Sequence, residues 1–208
     1  GVAVIPVGYK LHIEEQDKPR KENTLITVSR LDGRKRLDLI IKSVVKAHKQ
    51  NTEINLDVYG KGTEQYTLFL HNLVNELNAS DFINFKGHVN VNDLYAAYPA
   101  YITASMWETF GLTLLEACSS GCAFIGLDVR YGNRLFIEDE KNGYLIKYDY
   151  VHDENYDDYI TDQMSEKILK LFEDKERLHR FNLHSYEISK RFTYDEVLKL
   201  WKTLICDL

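Results

Sequence analysis

Thr24-Leu25-Ile26-Thr27-Val28-Ser29 is a short β-branched run, Ile54-Asn55-Leu56-Asp57-Val58-Tyr59 is a second short run ended by Gly60, and between them Leu37, Ile40, Ile41, Val44, Val45 and His48 recur at spacings of three and four. The runs read as strands, while the spacing places the intervening residues on one face of a helix. Two strands joined by such a crossover pair in parallel. The alternation continues outward. Tyr66, Phe69, Leu70, Leu73, Val74 and Leu77 form a second helical face, and Phe82-Ile83-Asn84-Phe85, Tyr101-Ile102-Thr103-Ala104 and Ala123-Phe124-Ile125-Gly126 read as further strands. Gly111 to Ser120 is a predicted helix closed by Gly121. After a last strand, Gly143-Tyr144-Leu145-Ile146, the apolar stripes Ile160, Met164, Ile168, Leu171, Phe172 and Val197, Leu198, Trp201, Leu204, Ile205 predict C-terminal helices. The acidic, tyrosine-rich stretch Tyr148 to Tyr159 reads as a mobile loop without a functional case. The fold class is α/β, a doubly wound parallel sheet with helices on both faces and extra C-terminal helices.

Composition excludes several alternatives. With 208 residues, 44% hydrophobic and 12% aromatic, the chain is long enough for one large domain and too apolar for disorder. Its formal charge of -6, from 26 Lys plus Arg against 32 Asp plus Glu, disfavours nucleic acid as a partner. Charges interrupt every apolar stretch, so no membrane span or signal peptide is expected. Cys118, Cys122 and Cys206 are odd in number and lack a second Cys-x-x-Cys half, which points to reduced thiols in a cytoplasmic protein and to neither disulfides nor zinc. His12, His48, His71, His88, His152, His179 and His184 form no metal-spaced cluster. The opening Gly1-Val2-Ala3 suggests a chain cut from something longer.

In doubly wound sheets the ligand crevice lies beyond the carboxyl ends of the strands, so the segments directly after strands carry the interest. One is Trp107-Glu108-Thr109-Phe110-Gly111-Leu112-Thr113-Leu114-Leu115-Glu116. Its helix would begin near Gly111 and present unpaired N–H groups and the positive dipole end, which suit a phosphate. Glu116, among Leu112, Leu115 and Ala117, needs a hydrogen-bonding partner, and vicinal hydroxyls such as those of a ribose supply two donors to one carboxylate. On spacing alone, a surface glutamate and a helix glutamate reaching solvent is the plainer reading. The other segment is Ser29-Arg30-Leu31-Asp32-Gly33-Arg34-Lys35-Arg36, where Arg30 and Lys35 could hold a diphosphate without a metal, although a solvated basic turn fits as well. This segment lacks the Gly-x-Gly-x-x-Gly of a dinucleotide-binding dehydrogenase.

Glu108 to Glu116 resembles the Glu-x7-Glu motif of family 4 retaining glycosyltransferases, which have the two-domain GT-B architecture. Arg30-Leu31-x-x-x-Lys35 is similar to the same family's Arg-Leu-x-x-x-Lys, and Gly60-x-Gly62, Phe85-x-Gly87 and Asn142-Gly143 follow in the expected order. The resemblance spans roughly residues 2 to 205. Leu112-Thr113-Leu114-Leu115-Glu116 and Gly126-Leu127-Asp128-Val129-Arg130-Tyr131-Gly132-Asn133 look most like bacterial accessory-secretion glycosyltransferases that place N-acetylglucosamine on serine-rich repeat adhesins, with teichoic-acid glycosyltransferases also similar.

The resemblance implies a Rossmann-like lobe of a GT-B fold that binds a nucleotide sugar, with a UDP-linked donor expected. It implies that Glu116 accepts from the ribose and that Glu108 touches donor-sugar hydroxyls. Phe110, Gly111 and Leu112 would offer backbone N–H groups, Gly60 would lie against the nucleotide, and Lys86 and His88 would be weaker candidates for the base edge. Arg30 and Lys35 would neutralise the departing diphosphate. The chain has no Asp-x-Asp, in keeping with an enzyme that needs no metal and no further cofactor. The expected layout is an interdomain linker and entry over 1–22, a Rossmann-like core over 23–147, a helical region over 148–190 and a crossover helix over 191–208, with the acceptor-binding N-terminal domain outside the chain. Partners implied are that domain, a protein or cell-wall polymer acceptor and a paralogous subunit. The location implied is the cytoplasm, with the inner membrane face as an alternative for the full-length protein. A catalytically silent nucleotide-sugar-binding adaptor is the competing reading. Two departures stand out: Trp107 replaces a commonly small or charged residue, and Thr109 replaces a common glycine.

Overall fold

A computed structural model describes residues 5–10, 19–90, 94–150 and 153–206. Residues 1–4 and 11–18 of the expected linker, His12 among them, lie outside the described residues, as does His152. Six parallel strands form one sheet: β1 (Thr24–Val28), β2 (Asn55–Tyr59), β3 (Ile83–Gly87), β4 (Ala100–Thr103), β5 (Ala123–Leu127) and β6 (Gly143–Ile146), in the order β3-β2-β1-β4-β5-β6. The chain winds outward from β1 to one edge, then returns to β4 and winds to the other. The switch point therefore lies between β1 and β4, whose carboxyl ends open into the loops singled out by the sequence.

The helices are α1 (Leu37–His48), α2 (Glu64–Glu76), α3 (Leu112–Ser119), α4 (Gly132–Phe136), α5 (Glu154–Glu173), α6 (Lys175–Lys190) and α7 (Tyr194–Cys206). Strand side chains alternate between two cores. Leu25, Ala100, Ile102 and Ile125 pack on the face covered by α1, α2 and α5, while Ile26, Tyr101 and Phe124 pack on the opposite face with α3 residues and Ile188. Both faces are covered, as the crossovers require.

Two expectations need correction. The helical face of α2 is thinner than the periodicity suggests: Leu70 and Val74 are buried, but Phe69 is 48% exposed. The stretch Tyr148 to Tyr159 is not a continuous loop. Asp153 caps α5 by accepting from the Tyr156 N–H at 2.8 Å, and the helix runs from Glu154. Tyr148 is buried, with Tyr150 and Tyr156 rings 5.0 and 5.8 Å away, and Arg36 bridges Asp38 to Asp157 on α5. The acidic composition masked a cap and an ion-pair partner.

Arg20 fixes the entry segment. Its guanidinium donates to the carbonyls of Tyr98, Ser120 and Gly121 at 2.8–3.0 Å, placing a cation at the C-terminal end of α3.

Candidate active site at the switch point

The loops beyond the strand ends are bound to one another in sequence. Ser29 N–H donates to the Tyr59 carbonyl at 3.0 Å, Leu31 N–H to Lys61 at 3.0 Å and Gly60 N–H to Gly87 at 2.8 Å. Gly60 has φ +142, and a Cβ there would lie 1.8 Å from the Ser29 carbonyl oxygen, so the crossing of these loops requires glycine. Asp32 caps a 3-10 turn over Gly33–Lys35 by accepting from the Arg34 N–H, and the Arg34 carbonyl accepts from Met106 N–H at 3.1 Å. That last bond joins the loop after β1 to the loop after β4.

Its consequence is an ion pair across the crevice: Lys35 Nζ lies 2.8 Å from Glu108 Oε2, with the side chains 19% and 18% exposed. The Glu108 carbonyl accepts from Tyr131 N–H at 2.7 Å and Gly132 N–H at 2.8 Å, which binds the loop after β5 into the same network. Gly111 then turns the chain into α3 with φ +87 and supplies no side-chain cap, so the first N–H groups of the helix remain available. Phe110 packs its ring against Phe136 and Phe192 at 5.4 and 6.0 Å, and Leu112 is 51% exposed.

A cleft of about 300 Å³ lies beside this pair, lined by Arg30, Gly60, Lys61, His88, Thr113 and Glu116 together with Val28, Tyr59 and Val89. The structure thus gathers Arg30, Gly60, His88 and Glu116 at one cavity. Lys35 and Glu108 face each other nearby, and Phe110, Gly111 and Leu112 stand at the head of α3. Lys86 is placed differently. Its ammonium lies 3.8 Å from Asp57 and it is not among the cleft-lining residues: β3 ends at Gly87, whose φ of +71 turns the chain between Lys86 and His88.

Glu116 is held from two sides: Tyr95 OH donates to Oε2 at 3.0 Å and Tyr9 OH to Oε1 at 3.4 Å. Burial pushes its carboxyl above the ordinary 4.5, and the two tyrosine hydrogen bonds offset only part of that. Desolvation likewise raises the Tyr95 phenol. Asp57, 3% exposed in β2, has the opposite outcome. Burial alone would raise it, but hydrogen bonds from Lys21 and Tyr98, both 2.6 Å, and the charges of Lys21 and Lys86 carry it below its ordinary value.

Tyr9, Tyr95, Thr113, Lys61 and Tyr59 escaped the sequence reading. Tyr59 lay within a strand already recognised, and its position at that strand's end was the available signal. Tyr95 carries no local pattern, sitting in a short 3-10 turn over Tyr95–Ala97.

A cleft at the switch point of a parallel sheet, with cations on one wall and a helix N-terminus and a half-buried carboxylate on the other, has the form of a domain of the glycosyltransferase class. The chain belongs to the glycosyl transferases group 1 family, which it matches over residues 9–187. It is 41% identical over 204 residues to the UDP-N-acetylglucosamine–peptide N-acetylglucosaminyltransferase GtfA subunit of Streptococcus gordonii, covering 98% of this chain and 39% of that protein. The crystal structure of the pneumococcal O-GlcNAc transferase GtfA in complex with UDP and GlcNAc superposes with a TM-score of 0.88 at 39% identity, covering 99% of this chain and 39% of that one. A GtfA/B complex structure gives a TM-score of 0.89 at 40% identity, covering 98% of this chain and 39% of that one. The chain therefore spans about two fifths of the length of these relatives. Among the described residues no helix is long and apolar enough to cross a membrane.

Proposed function

We propose that the chain is the donor-binding lobe of a family 4 retaining glycosyltransferase that transfers N-acetylglucosamine from UDP-GlcNAc to serine or threonine of a protein acceptor. The observation that carries this is the convergence of Arg30, Glu116 and the Lys35–Glu108 pair at the β1–β4 switch point. Glu116 takes the ribose hydroxyls. Arg30 and the head of α3 take phosphate oxygens, and their positive potential stabilises the charge that develops on the departing diphosphate. Lys35 has three donors, so it can keep Glu108 oriented toward the sugar hydroxyls while donating to a phosphate oxygen. Cations and helix dipole supply the leaving-group stabilisation in this reading, and no metal is required.

The acceptor site and the remaining catalytic groups belong, in this proposal, to an N-terminal domain of the same polypeptide, and a second, paralogous subunit assembles with it. The greater length of the GtfA subunit supports a further domain in the same polypeptide, and the GtfA/B complex supports a partner subunit. The test is transfer by the full-length polypeptide, alone and with its candidate partner, from a panel of UDP-sugars to a serine-rich peptide and to teichoic acid. The proposal expects transfer of GlcNAc to the peptide with retained anomeric configuration, unaffected by chelator. Inverted product, transfer only to teichoic acid, or loss of transfer on adding chelator contradicts it. A silent adaptor would bind UDP-GlcNAc and neither transfer nor hydrolyse it.

A further inference from the structure

Glu116, the fifth residue of α3, reaches the cleft and would be free to change rotamer if only aliphatic neighbours surrounded it. It is instead fixed at both oxygens, by Tyr95 OH at 3.0 Å and Tyr9 OH at 3.4 Å. Neither tyrosine is itself mobile. Tyr95 is 2% exposed, in a turn whose ring lies 6.1 Å from that of Tyr101. Tyr9 donates its backbone N–H to the Phe192 carbonyl at 2.8 Å and bridges to Thr193, which seats it on the junction of α6 and α7. A carboxylate offers about four lone-pair sites, so two donors leave one on each oxygen, the number two vicinal hydroxyls require. We infer that Tyr95 and Tyr9 are positioning residues that hold the Glu116 carboxylate in the orientation that receives the two hydroxyls of the donor ribose.

The inference rests on the reading of Glu116 as the ribose acceptor. A purely structural role would have the tyrosines satisfy a half-buried charge with no bearing on which ligand atoms are bound. The two roles separate when the ligand hydroxyls are removed. Calorimetry on the full-length polypeptide would compare UDP with 2′,3′-dideoxyuridine diphosphate for wild type, Tyr95→Phe, Tyr9→Phe and Glu116→Ala. Expected are UDP affinities weakened about tenfold by Tyr95→Phe and about threefold by Tyr9→Phe, whose bond is longer, with affinity for the dideoxy ligand unchanged in both. Glu116→Ala should weaken UDP at least as much as Tyr95→Phe and leave the dideoxy ligand unchanged. If Glu116→Ala behaves so but the tyrosine variants weaken both ligands equally, or neither, the positioning role is overturned and the ribose reading stands. If Glu116→Ala leaves UDP binding intact, both fall. Tyr9→Phe removes one hydroxyl from the edge of the fold and keeps the contrast readable should Tyr95→Phe unfold the chain.

Discussion

Lys35 and Glu108 are brought together by a backbone bond between their loops, and with both side chains under one fifth exposed, losing the ammonium strands a carboxylate in a poorly solvated crevice. Lys35→Met in the full-length polypeptide should lower kcat/KM for UDP-GlcNAc by about two orders of magnitude, with Lys35→Arg retaining more. Steady-state kinetics checks it, and unchanged turnover in Lys35→Met would exclude the role. Acid response is set at the same scale. Glu116 is raised by burial, so it binds as a carboxylate only above its folded value, and UDP affinity should decline on acidification earlier than an exposed glutamate at the ordinary 4.5 would allow. The stability sign follows: the ionised form of Glu116 costs stability above the unfolded value, and that cost disappears in acid. Asp57 acts in the other direction, since its lowered carboxyl contributes stability that is complete above the ordinary 3.8 and is lost as pH falls through its lower folded value. Calorimetric titrations in mildly acidic buffers distinguish the ligand effect from unfolding.

Elements determine how precisely those residues meet. Gly60 lets the loops after β1 and β2 cross at contact distance, so Gly60→Ala should separate the strand ends and weaken UDP binding at least tenfold, measured by calorimetry. The cap of α5 is a contrasting case. Asp153→Ala should cost about 1 kcal/mol in chemical denaturation and leave UDP affinity unchanged, because α5 lies on the sheet face away from the cleft residues of α3. These elements also show what the sequence could convey. Strands and long helices were legible because period-two and period-3.6 patterns are local. The start of α5 was not, since an Asp cap followed by acidic and tyrosine residues has the composition of a loop. Glu108, Glu116, Arg30 and Lys35 were legible as motifs, but their partners Tyr9 and Tyr95 are separated from Glu116 by 107 and 21 positions, and only the closed sheet brings them into contact.

At the scale of the molecule, the net charge of -6 is spread over the whole surface, while at the crevice Arg30 stands 3.3 Å from Asp32 and Lys35 2.8 Å from Glu108, so each cation has donors left over from its ion pair for an anionic ligand beside the head of α3. The outer face of α7 presents Tyr194, Leu198, Trp201 and Ile205, each 49–65% exposed, on one stripe. On the proposed function, the β1–β4 cleft holds a uridine diphosphate through Glu116 and Arg30. Calorimetry with UDP tests it directly: measurable binding to the wild type, reduced at least tenfold by Glu116→Ala and by Arg30→Ala, is the predicted result, whereas no binding, or binding that neither substitution changes, would contradict it.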